Sequence, residues 1–91
     1  MKGFDTMNSI LNLLRREDSL VSQINTLEDK VYKLDGKIAD TRKRIGNEAT
    51  ANRRSFISLK ADLKKQLYLC NAEHDAVIFQ LKEVLRENKI I

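Results

Sequence analysis

The sequence predicts an all-α fold, an antiparallel two-helix coiled-coil hairpin whose dimer would be a four-helix bundle. Apolar residues recur three and four positions apart through two long runs, the runs mirror each other about a polar middle marked by Gly46, and proline is absent. A mean spacing of 3.5 residues keeps one stripe facing a partner helix as two helices supercoil, so the pattern reports helix-on-helix packing. A charged content of 33% against 5% aromatic residues also suits long helices better than a globular core. With 91 residues the chain makes a single helical unit, 1–91, with one narrow core, so self-association or docking onto a larger body is expected.

The first helix is expected over about 6–45. Its seam reads Leu20, Ile24, Leu27, Val31, Leu34 and Ile38, then Ile45 after a polar step at Thr41. Gly36 falls on the outward side two residues after Leu34 and costs about 1 kcal/mol without ending the helix. Gly46 follows the seam and opens a stretch with no large apolar residue, so 46–54 is read as the turn region. Gly46 and Asn47 would cap the first helix, and Asn52 or Ser55 would start the next. The second helix is expected over about 55–90, with a seam of Phe56, Leu59, Leu63, Leu67, Cys70 and His74, continuing through Val77, Leu81, Val84, Asn88 and Ile91.

Folding the chain back near position 50 pairs Ile45 with Phe56, Ile38 with Leu63, Val31 with Cys70, Ile24 with Val77, Leu20 with Leu81 and Ile10 with Ile91. Each pair adds to 101. The same symmetry suits one continuous helix of about 80 residues, roughly 120 Å long, dimerising antiparallel about its centre. The helix-stop chemistry at Gly46 favours the hairpin.

A second stripe lies off the seam. Ile57, Tyr68, Phe79 and Ile90 recur every eleven residues, with Ala61 and Ala72 between them. Eleven residues make three helical turns with little drift, so these side chains share one face, nearly opposite the seam. A fainter counterpart on the first helix comprises Ile10, Leu14, Val21, Tyr32 and Ala39. Ile57, Tyr68 and Phe79 are therefore candidates for docking an amphipathic helix, from a second copy or another protein.

Charge is concentrated at the predicted turn. From Arg42 to Lys65 eight basic residues face two acids, a net +6, whereas 1–41 and 66–91 carry −1 each, making up the overall +4. Arg53, Arg54, Lys64 and Lys65 are the candidates for steering onto an acidic protein surface. No Gly-rich phosphate loop, zinc-ligand set or aromatic platform beyond Phe56 accompanies them, which argues against nucleic acid.

Reactive chemistry is not expected. Cys70 and His74 have the spacing of two metal ligands, but two ligands do not make a zinc site, and a polar step in a seam commonly fixes register. His74 has no orienting acid nearby in sequence, because Glu73 and Asp75 project to other faces. The reading is a non-enzymatic protein without metal or cofactor. A lone cysteine forms no internal disulfide. No run approaches the roughly 20 apolar residues that span a bilayer, and Met1 to Asp5 lack a signal peptide's apolar stretch, so no membrane association and a cytoplasmic location are expected.

The early Leu-Leu-Arg-Arg-Glu segment (Leu13 to Glu17), the basic turn end and the two termini at the opposite end resemble the central-stalk proteins of flagellar and type III secretion export ATPases. That resemblance implies a cytoplasmic two-helix coil whose terminal end enters the ATPase ring while its tip contacts the export gate and chaperones. Small helical export chaperones of the same systems are similar too, and would hold a secreted helix against the second stripe. Family stalks are usually longer than this chain. The expected function is thus a protein–protein interaction module, a stalk or chaperone/adaptor of a type III secretion-like system. The alternatives are a self-assembling structural bundle and a basic dimer that binds nucleic acid.

Overall fold

A computed structural model describes residues 2–89, with side chains from Asp5 onward. Helix α1 spans Lys2–Arg42 and helix α2 spans Asn47–Glu87. They lie antiparallel as an all-α hairpin of 68 × 17 × 14 Å, which excludes the continuous rod. Ile90 and Ile91, placed on the stripe and the seam above, lie outside the described residues.

The spacing of three and four is stricter than the apolar residues alone reveal. On α1 the inward positions are Thr6, Ile10, Leu13, Glu17 and Leu20, then Ile24, Leu27, Val31, Leu34, Ile38 and Thr41. None of these is exposed. On α2 they are Ala49, Arg53, Phe56, Lys60 and Leu63, then Leu67, Cys70, His74, Val77, Leu81 and Val84. Ile10 thus belongs to the seam, packed with Leu13 and Ile78 on the buried cluster Leu20, Val77 and Leu81. The supposed turn residues 47–54 are helical because Ala49, small and buried, and Arg53, aliphatic in its stem, occupy seam positions there. Two expected seam residues are displaced. Leu59 is 49% exposed, with Lys60 taking the inward place one residue on, and Ile45 is fully exposed on the connection.

The reversal occupies only 43–46. α1 closes with tightened turns, Lys43 N donating to Asp40 O at 3.2 Å and Arg44 N to Thr41 O at 3.2 Å. Gly46, not Asn52 or Ser55, is the N-cap of α2, with φ 133° and ψ 168°, a region that side-chain-bearing residues avoid. Its carbonyl accepts from both the backbone N and Oγ1 of Thr50, at 3.1 and 3.0 Å. Glu48 in the first turn of α2 and Arg42 in the last turn of α1 each suit the local end of the helix dipole. Asn88 caps α2 by donating from Nδ2 to Val84 O at 2.8 Å, ending the helix short of the expected 90.

This earlier turn resets the pairing. Thr6 Oγ1 donates to Asn88 Oδ1 at 3.2 Å at one end and Arg53 Nη2 donates to Thr41 O at 2.9 Å at the other. Facing positions therefore add to 94 rather than 101, a shift of one heptad. Such a slip leaves nearly the same residues facing inward and changes only their partners, setting Leu27 beside Leu67 and Val31 beside Leu63.

Two glycines predict opposite responses. Gly46→Ala is expected to destabilise the hairpin by about 1–3 kcal/mol, because alanine cannot adopt that backbone without strain. Gly36→Ala, in mid-helix with nothing within 4 Å of the added Cβ, should stabilise it by about 0.5–1 kcal/mol. Urea unfolding monitored by circular dichroism checks both.

Candidate interaction surfaces

The basic tip is built from the end of α1, the connection and the first turns of α2. Arg53 is turned inward. Its Nη2 bonds Thr41 O at 2.9 Å and its Nε approaches Thr41 Oγ1 at 3.4 Å, while Thr41 Oγ1 donates to Ile38 O at 2.7 Å. The guanidinium thus adds a second, charge-assisted donor to the carbonyl that already accepts from Arg44 N, at the negative end of α1. Lys60 also turns into the seam and pairs with Asp35 of α1. Arg54, Lys64 and Lys65 are exposed and make no ion pair among the described residues. Arg42, Lys43 and Arg44 stand at the tip beside Ile45, which is 104% exposed, whereas Lys64 and Lys65 lie about five helical turns along α2 from Asn47.

The second stripe divides into two places. Tyr68 is 74% and Phe79 64% exposed on the outside of α2, with Leu69 beside Tyr68 also exposed. Phe79 borders a cleft lined by Ser9, Leu13, Gln80 and Val84, so its ring lies near the join of the helices at the terminal end. Ile57 instead shares a cleft with Asp35, Ile38, Ala39, Arg42 and Lys60 on the other flank, near the tip. Of the fainter stripe on α1, Leu14, Val21 and Tyr32 are exposed as expected, and Ile10 is not.

A polar layer interrupts the seam where Glu17 meets His74. Oε1 and Nε2 are 3.5 Å apart, each side chain about one quarter exposed, and Nε2 is buried without a hydrogen-bond partner. The ion-pair distance and the unsatisfied nitrogen are compatible: the groups are near, but their alignment does not make a hydrogen bond. His74 therefore does have an acid beside it, supplied by the other helix. Glu17 was hidden from sequence reading because the apolar run was traced only from Leu20. Extending the alternation of three and four backwards through Leu13 would have found it.

Neighbouring contacts on this flank are polar. Arg16 Nη2 lies 3.6 Å from Glu73 Oε2, and the Cys70 thiol donates to Gln23 Oε1 at 3.6 Å. Lys37 Nζ sits 5.8 Å from the centre of the Phe56 ring, a cation–π contact at the tip end. Among the described residues no three His, Cys, Asp or Glu side chains are grouped to hold a metal ion, and no helix is long and apolar enough to cross a membrane. No family model matches the chain, and no curated protein or solved structure matches it either.

Three variants probe these contacts. Arg53→Ala should destabilise by about 1–2 kcal/mol through the lost charge-assisted cap, whereas Arg54→Ala should stay within about 0.5 kcal/mol. Denaturant unfolding separates them. Replacing Glu17 and His74 together by leucine should raise stability by about 1–3 kcal/mol, since a well-packed apolar layer outperforms a poorly aligned polar one; calorimetry of the double variant reads this directly.

Proposed function

We propose that this chain is a non-enzymatic protein-binding module, a helical hairpin that presents a basic tip and an outer apolar stripe to protein partners. The observation that carries the reading is the imbalance of its apolar side chains. Seven hydrophobic residues are buried, no large side chain is fully buried among the described residues, and eleven large apolar side chains remain exposed. Single exposed apolar residues are ordinary, but this many on so thin a molecule favours surfaces that other chains cover.

The concrete form we propose is a stalk or chaperone/adaptor of a type III secretion-like export system, working in the cytoplasm. In that form Tyr68 and Phe79 hold an amphipathic helix, and Arg54, Lys64 and Lys65 steer the tip onto an acidic surface. Arg53 contributes charge to the same end while bracing α1. The dimensions support this use: a hairpin 68 Å long keeps the tip and the terminal end on separate partners.

A photo-reactive amino acid at position 68 or 79 should cross-link one defined protein in the native cell, while the same probe at position 62 should not. Tyr68→Ser with Phe79→Ser should abolish that product and leave thermal unfolding unchanged, because both rings lie largely in solvent. Diffuse cross-linking to many proteins would overturn the helix-docking reading. A single product unrelated to any export component would overturn the secretion form alone.

A further inference from the structure

One flank of the hairpin changes character abruptly along its length. Asp35, Arg42 and Ile57 share a cleft there. Positions seven residues apart keep the same angle to a coiled-coil seam, so the rows they belong to can be followed along that flank. On α1 the row reads Met7, Leu14 and Val21, then Glu28, Asp35 and Arg42. On α2, counted from the same open end, it reads Leu85 and Ile78, then Asn71 and Lys64 before Ile57. The open half is apolar and the half toward the tip is mainly polar. Met7, Leu14 and Val21 are exposed, at 62%, 45% and 37%, with Leu11 beside them at 43%. Ile78 extends the surface directly from the buried cluster of Leu20, Val77 and Leu81.

We propose that this open-end face binds a second copy of the chain, open end over open end and antiparallel, with the two-fold axis beside Leu14. The proposal goes beyond the client stripe, since it uses none of Tyr68, Phe79 or the tip. In this arrangement Leu14 meets its own counterpart, Met7 meets Val21 of the other copy, and Ile78 meets the other copy's Leu85. The overlap is a short four-helix bundle. Two considerations select this occupant and this orientation. The first is charge: residues 2–21 carry three positive and three negative side chains, so the overlap is close to neutral, whereas 42–65 carries +6. A side-by-side parallel dimer would superpose two such tips, and the staggered antiparallel one sends them to opposite ends. The second is area. An overlap of about 36 Å by the 17 Å width covers about 600 Å² per copy, about 1,200 Å² in all, which reaches the lower limit for a specific stable interface.

The test uses the full-length chain. Sedimentation equilibrium at about 0.1 mM should give twice the 10.5 kDa chain mass. Leu14→Glu should weaken association about a hundredfold, while Leu69→Glu, exposed on the outside of α2, should leave the mass unchanged. With Cys70 changed to Ser, spin labels at position 18 should lie about 10–20 Å apart between copies. Labels at position 47 should lie beyond about 80 Å, because two 68 Å hairpins overlap only at their open ends. A monomer at that concentration, a mass insensitive to Leu14→Glu, or a short distance between position-47 labels would each overturn the proposal. None of these outcomes touches cross-linking from positions 68 and 79, so this dimer and the client-binding function fail separately.

Discussion

Everything in this molecule depends on how tightly the chain reverses at 43–46. Because only four residues separate the helices, the last layer of α1 and the first layers of α2 must meet at once, and they do so through Thr41, Ala49 and Arg53. That closure needs a small side chain at 49, where the helices approach, and a long one at 53 that reaches back to the carbonyl of Thr41. Once those two are placed, every later pairing follows at intervals of three and four, down to Thr6 and Asn88 at the far end. A register fixed at one end by a tight turn propagates rigidly, because a slip would have to break the turn as well as the packing.

The hairpin, its handed-back topology and most of its core were legible from periodicity alone, since Leu20, Leu27, Leu34, Ile38, Val77 and Leu81 are the buried apolar residues that the seam requires. What hid was the register. Shifting an antiparallel coil by a heptad returns nearly the same residues to the seam, so hydrophobic matching is almost degenerate between pairings that add to 94 and to 101. The deciding information sat in residues that carry no apolar signal: the backbone of Gly46, the smallness of Ala49, and a guanidinium used as a helix cap. Ile45 and Leu59 misled for the converse reason, being apolar where the backbone points outward. Of the candidate surface, the exposure of Tyr68, Phe79, Arg54, Lys64 and Lys65 was readable because each falls off the seam. The inward turn of Arg53 was not, because only the position of the reversal makes it adjacent to Thr41.

The seam also changes in kind along its length. At the open end it holds the cluster of Leu20, Val77 and Leu81 with Ile10 and Leu13 against it, and toward the tip it holds buried Leu27, Leu34, Ile38 and Ala49 interleaved with Lys60, Arg53 and Thr41. Apolar layers gain free energy in proportion to the area removed from water, and polar layers roughly break even between desolvation and pairing. Both halves are therefore anchored by apolar layers, and the Glu17–His74 layer is a weak step in the open half. The tip half adds directional contacts to its apolar layers, such as Lys60 with Asp35 and Lys37 over Phe56.

The +6 of residues 42–65 lies in the tip-side part of a 68 Å hairpin, and at physiological salt charge interactions die away over about 8 Å. The open end is thus electrostatically blind to the tip. An acidic surface approaching the tip alters nothing at the terminal face through the field alone, and an apolar partner at the terminal face meets a nearly neutral surface. Any influence of one on the other must travel through the packing of the two helices, and a weak link in that path is the poorly aligned Glu17–His74 layer beside the cluster of Leu20, Val77 and Leu81. A two-helix hairpin of this kind acts as a spacer with unlike ends, in which length isolates the charges and a single register holds the two surfaces at a fixed distance.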